Sequence, residues 1–233
     1  RVPDLEMAER VSGRLDTIAG HAAEMTGCRV EKHWVSKSRP GLTNHAMATM
    51  VWEEMQQVGA PVWSEEGLAL ARQVQEACGG PGEVNPLLEA CTQMLDPEEA
   101  EAILRQSLPP EQRHATSDDY TDMSWHAPLA RFYVARPALK GGPYPAWAMN
   151  ALGGMPETID PMVETAARVL ARGALRVLTD EGLRKAAWSE FETRTGGGVG
   201  GTDWIAPMAD YAPPVGFAWP EYVNTVRGRH WHI

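Results

Sequence analysis

The stretch LARFYVARP, residues 129–137, decides how the chain is read. Phe132 and Val134 face one way and Leu129, Arg131 and Tyr133 the other, the two-residue period of a strand. A second run, residues 28–36, places Val30 and Trp34 on one face and reads as another strand. Both runs lie among segments with helical spacing. Helices and strands mixed along the chain predict an α/β or α+β fold, with α/β taken as the class.

The helical segments are marked by their ends. Asp4 is placed to cap a helix running to about Thr26, with Leu5, Ala8, Val11, Leu15, Ile18, Ala22 and Met25 forming one apolar stripe. Gly27 follows as a stop. KSRPG, residues 37–41, is a turn and a candidate domain boundary. Thr43 or Asn44 caps the next helix, which ends at Gly59 before Pro61, and Ser64 opens another that runs to about Cys78. Asp96 and Pro97 start a short helix with acids in its first turn. Asp160 and Pro161 start a long helix to about Leu178, predicted to turn Val163, Ala166, Ala167, Leu170, Ala174 and Val177 inward. Thr179-Asp180 begins the last helix, ending near Thr195.

Bulk properties narrow the function. The 233-residue chain has a formal net charge of −10, which argues against nucleic acid or an anionic membrane as its main partner. No apolar run approaches the roughly 20 residues of a membrane span. Cys28, Cys78 and Cys91 fit no close metal or redox spacing, so a cytoplasmic setting is expected. The chain opens RVPDLEMAERV, without an initiator Met. We expect an upstream portion that has been removed or lies on another chain.

The most chemical stretch is TSDDYTDMSW, residues 116–125, with Asp118, Asp119 and Asp122 close together. Adjacent carboxylates resist ionising together, which suits proton transfer or support of a metal ligand. A polar loop leading into a strand explains the same residues structurally. His45, beside Asn44 at a helix start, is open to ligand contact or to simple capping. His230-x-His232 fits a frayed tail better than a metal site. GGGVGG, residues 196–201, has the spacing G-x-G-x-x-G, but no helix follows to hold a pyrophosphate. The residues alone imply a protein of mixed helices and strands with an acidic candidate site.

Several stretches together carry a resemblance. They are RVPDLEMAERV with MTGCRVEKHWVS, LTNHAMATMVWEEMQQVG with PVWSEEGLALARQVQ, SDDYTDMSW, PYPAWAMNALGG, and AARVLARGALRVLTDEGLRKAAWSEFETRTGG. In this order they resemble the aminobenzoyl-glutamate hydrolase-like branch of the aminoacylase and carboxypeptidase-G-like metallohydrolase family, over about residues 1–197. The resemblance implies the C-terminal half of a two-domain metallopeptidase-like enzyme. Residues 1–38 would end an inserted α+β lid or dimerisation domain. Residues 40–233 would belong to the α/β catalytic domain.

The resemblance also implies a metal-dependent hydrolase of C–N bonds acting on a small, carboxylate-bearing, aromatic substrate, with N-acyl amino acid amides first. Its cofactor would be a divalent transition metal, Mn or Zn, with most ligands on an N-terminal half present as a separate chain of a nicked enzyme. The lid would support a homo-oligomer. One family ligand, a histidine, falls at Pro145. Proline has no side-chain donor, which implies a mononuclear, labile site and brings a second activity forward. That alternative is hydrolytic deamination of an aromatic amine such as 5-nitroanthranilate, as in another branch of the family. A third is a non-catalytic subunit that kept the fold and lost the site. Mapped on the family, Asp118 and Asp119 are the candidate catalytic residues, and Asn44, Ser117, Tyr144 and Trp147 the candidate substrate contacts, with Trp125 a further candidate for an aromatic wall. Asp122 is read as structural.

Overall fold

The computed structural model describes residues 2, 4–110, 119–208, 216, 221–225 and 228–232. Its elements run α1 (Leu5–Thr26), α2 (His45–Val58), α3 (Glu65–Ala77), α4 (Glu89–Thr92) and α5 (Pro97–Ser107). A 3-10 helix, Asp119–Trp125, follows, then α6 (Ala146–Leu152), α7 (Pro156–Thr179), α8 (Glu181–Thr195), β1 (Glu221–Thr225) and β2 (Gly228–His232). The chain divides into two units, Gly41–Ile205 and Arg1–Pro40 with Ala206–Ile233.

The expected α/β class is overturned: the described chain is helical. Among the described residues the only strands are β1 and β2, paired as one antiparallel hairpin, with a single further bridge between Leu87 and Leu139. Residues 28–36 and 129–137 belong to no helix or strand. Alternation favours an extended backbone, but a strand closes its hydrogen bonds only on a neighbour. The described chain supplies no neighbour to either run. Residues 129–137 are instead anchored at one end, where Leu88 N–H donates to Ala138 O (2.8 Å) and Lys140 N–H to Pro86 O (2.9 Å).

Helix ends follow their local chemistry. Asp4, Asn44, Ser64, Asp96 and Asp180 each accept a backbone N–H of the first turn, satisfying donors that the helix itself leaves orphaned. Gly27 and Gly196 end α1 and α8 in the left-handed conformation. PYPAWAMN holds α6 behind Pro145.

The larger unit is built around α3. Trp63, Ala71, Leu87, Cys91, Leu139, Ala148 and Leu152 form its core, and full burial of each leucine contributes about 2 kcal/mol. Trp63 Nε1–H donates to Thr158 O at 2.7 Å, tying the approach of α3 to α7. A Cβ on Gly67 would lie 2.3 Å from Glu157 O, so only glycine lets α3 come this close. Gln75, fully buried, donates to Lys140 O (3.0 Å) and accepts from Glu83 N–H (2.9 Å).

The long helix corrects two expectations. It begins at Pro156, one turn before Asp160, and keeps Pro161 inside. Its buried face is also rotated: Thr158, Val169 and Gly173 are buried, whereas Val163 and Leu170 are exposed. Gly173 faces Met50 of α2, with room for a Cβ at ordinary contact distance, 3.5 Å from the sulfur. In the smaller unit α1 has the predicted apolar stripe but buries none of its residues. Lys32 reaches back to Asp16 at 2.7 Å.

Candidate functional site

The acidic stretch enters the described structure at its C-terminal part. Ser117 and Asp118 lie outside the described residues. Asp119 opens the 3-10 helix, and its side chain is likewise outside them. Two later residues hold the helix in place. Ser124 Oγ donates to Thr121 O at 2.5 Å and accepts Leu42 N–H at 2.8 Å. Trp125 is buried, and its carbonyl accepts Trp204 Nε1–H at 2.6 Å. Trp204 meets the His126 ring edge-on, centroids 5.9 Å apart. These bonds clamp the 3-10 helix between the start of the unit and its end, and they place Trp125 inside the fold.

Beyond it, the Arg131 guanidinium lies between the rings of Tyr120 and Tyr133, 4.5 and 4.1 Å from their centroids, a stacked cation–π arrangement. Tyr144 is half-buried beside the core and donates its hydroxyl to Lys140 O at 2.9 Å. Trp147, in the first turn of α6, is 52% exposed. Tyr144 and Trp147 share no ring contact among the described residues, so the structure does not assemble the expected wall from them and Trp125. Pro145 stands at the N-cap of α6 without a side-chain capping bond.

Asn44 is buried at the start of α2. Its Oδ1 accepts Met47 N–H (3.0 Å) and its Nδ2–H donates to Ala187 O (2.8 Å). Both ends of the amide thus serve the junction of α2 with α8. Next to it, Glu190 accepts the backbone N–H groups of His45 (2.8 Å) and Ala46 (3.1 Å) and Arg194 Nε–H (2.9 Å). Burial works to raise the Glu190 pKa, but the two backbone donors and Arg194 outweigh it, and the carboxyl is held below its ordinary range. His45 projects outward, with Nδ1 3.0 Å from Glu190 and 2.9 Å from Arg194.

A second network joins α2 to α7. Glu54, buried, meets Arg172 Nε at 2.5 Å and Arg176 Nη1 at 3.2 Å, and Arg176 also reaches Glu53 at 2.6 Å. Sequence reading missed Glu54 and Glu190 in these roles. The i,i+4 spacing of Glu190 and Arg194 was visible, but nothing local shows which distant helix end they close on. Cys91 is a buried thiol, its pKa pushed up by burial against a weaker opposing backbone hydrogen bond at Ala138, which makes it an inert core residue.

Among the described residues no three His, Cys, Asp or Glu side chains come together in a way that could hold a metal ion. The resemblance puts most ligands of its metal centre on another polypeptide, and Pro145, at the place of the one expected here, has no side-chain donor. No helix among the described residues is long and apolar enough to cross a membrane.

Comparison with known proteins agrees with the ordered motifs. The chain is similar to one of the p-aminobenzoyl-glutamate hydrolase subunits of Escherichia coli (strain K12), 24% identical over 205 residues. The match covers 84% of this chain and 42% of that protein, so the chain spans less than half the length of the relative. The chain is thus a distant relative of that hydrolase, as the resemblance implied. No protein-family model matches the chain, and no solved structure matches it.

Proposed function

We propose that this chain is one part of a hydrolase that cleaves the amide C–N bond of an aminobenzoyl-glutamate-type substrate, adding water to release a carboxylate and an amine. The observation that carries the proposal is the distant similarity along 84% of the chain to a polypeptide named for that activity. In this reading Asp118 and Asp119 supply acid–base or positioning groups, Ser117 a polar contact, and Trp147 an exposed face for a flat ring. Tyr144 shapes the loop entering α6. Asn44, whose amide is spent within the fold, acts on the site only by setting the start of α2.

A partner polypeptide corresponding to the rest of the relative completes the site, and a divalent metal would take its ligands there. No step is assigned to that metal. Assembly into a homo-oligomer and a cytoplasmic location belong to the same proposal.

A second reading is favoured by Pro145. Loss of a donor at this place suits a changed reaction, the replacement of an aryl amine by hydroxyl in a substrate such as 5-nitroanthranilate. Product analysis separates the two. The assembled protein is incubated with p-aminobenzoyl-glutamate and, separately, with 5-nitroanthranilate. Release of p-aminobenzoate and glutamate supports the amide reading; release of ammonia from the anthranilate supports deamination. Turnover of neither by the assembled protein would sink both and favour a non-catalytic subunit. Asp119→Asn is expected to reduce turnover at least a hundredfold while leaving thermal unfolding unchanged, and an unaltered rate removes Asp119 from the site.

A further inference from the structure

Helix α7 has two apolar rows, and among the described residues one of them is buried. Thr158, Val169 and Gly173 are buried toward the rest of the unit. A second row, Val163, Ala167, Leu170, Ala174 and Leu178, advances by four, three, four and four residues and is exposed along its whole length. Val163 is 50% exposed, Leu170 61% and Leu178 76%. Charge fills the remaining side, where Glu157, Asp160, Glu164, Arg168, Arg172 and Arg176 follow one another at three- and four-residue steps. There Glu164 pairs with Arg168 (3.3 Å), and Arg172 turns to Glu54. An amphipathic surface helix buries its apolar stripe and turns its charge outward; on α7 the apolar stripe extends past the buried residues.

The same unit is unfinished elsewhere. The backbone of Phe132, Tyr133, Val134 and Ala135 makes no backbone hydrogen bond among the described residues, and Tyr133 is 65% exposed.

We infer that the outer row of α7 is an interface whose occupant is the polypeptide corresponding to the part of the related hydrolase that this chain does not cover. The inference rests on the two-part reading of the enzyme given above. More than half of the relative's length has no counterpart in this chain, enough polypeptide to cover both the α7 row and the extended run. A second copy of the chain is a poorer occupant. The row rises over about 22 Å of helix, and one helix stripe of that length falls short of the roughly 800 Å² per partner in a stable association. The alanines at 167 and 174 leave room for close approach of a packed apolar surface.

The test places a photo-crosslinking amino acid at Leu170, and in a control at Arg168, in the protein as produced by its source cells. Crosslinked peptides are then identified by mass spectrometry. We expect position 170 to join sequence matching the uncovered part of the relative, whether on a separate chain or further along the same one, with at least tenfold less product from 168. Leu170→Glu should cut recovery of that polypeptide at least tenfold, and Leu170→Met should leave it unchanged. A crosslink from 170 to 170 of another copy, or an uncrosslinked Leu170→Cys thiol fully reactive to maleimide in the native assembly, overturns the inference. Hydrolysis of p-aminobenzoyl-glutamate is assayed on the same preparation. Crosslinking without hydrolysis keeps the interface and removes the activity; hydrolysis without crosslinking at 170 removes the interface alone.

Discussion

Helix α3 and the run at 129–137 belong to the same unit and end near the same core, yet among the described residues one closes its own backbone and the other does not. Within α3 each interior N–H finds a carbonyl four residues back, Ser64 serves the first turn, and Gln75 ties the last turn to Glu83 and Lys140. The run at 129–137 lies between the 3-10 helix and the Leu87–Leu139 bridge and is held by side chains, Arg131 over Tyr120 and the Cys91 thiol donating to Arg136 O. A helix closes its backbone on itself, while an extended segment must borrow a neighbour. The difference shows where this chain is self-sufficient and where it is not.

Proline insertion tests the closed side most severely. Ala71 is fully buried in the middle of α3. Ala71→Pro removes an internal hydrogen bond and drives the ring into the preceding turn, at about 3 kcal/mol or more. With the core displaced as well, the unfolding transition of the chain should be lost or fall far below that of the parent in a thermal melt. An unchanged melt would mean that α3 is not what holds the unit.

A smaller loss is expected at the junction of α2 and α8. Asn44→Ala removes the cap on Met47 N–H and the bond to Ala187 O. The cost should be about 2 kcal/mol, read as a lower urea midpoint at constant slope. Asn44→Asp retains the capping oxygen and should lose less. Equal losses for the two variants would assign the whole effect to the contact with α8.

Glu190 gives the same junction a pH dependence. Its carboxyl is held below the ordinary range in the folded chain, so its contribution is present above the unfolded pKa and is lost as pH falls through the folded one. Wild type should exceed Glu190→Gln in melting temperature at neutral pH, and the gap should close on acidification below the usual carboxylate range. A gap independent of pH would show that the glutamate acts by shape alone.

What could be read from the sequence divides along the same line as α3 and the open run. Caps at Asp4, Asn44, Ser64, Asp96 and Asp180 were legible because each acts within three residues of its target. The failure at residues 28–36 and 129–137 has a physical source: alternation specifies an extended backbone and says nothing of who pairs with it. The buried side of α7 was misjudged because its apolar arc is wider than the part that is buried, and which part is buried depends on packing against helices distant in sequence. At the candidate site, Asp118, Asp119 and Pro145 were assigned through the resemblance and its motif order alone. The Glu190 and Glu54 networks were not, since each joins residues more than a hundred positions apart.

The smallest expected effect bears most directly on the contrast. Val134→Pro inserts the same residue as Ala71→Pro, but into a run whose local N–H groups make no backbone bond among the described residues. An extended backbone accommodates proline and the residue before it. In the isolated chain the change should therefore shift stability by no more than about 0.5 kcal/mol, the range of a substitution that breaks no named interaction. A loss approaching that of Ala71→Pro would show that the chain already pairs this run internally, and the difference between α3 and residues 129–137 would fall. If the isolated chain tolerates Val134→Pro while the assembled protein does not, the backbone groups left open here are taken up by the partner.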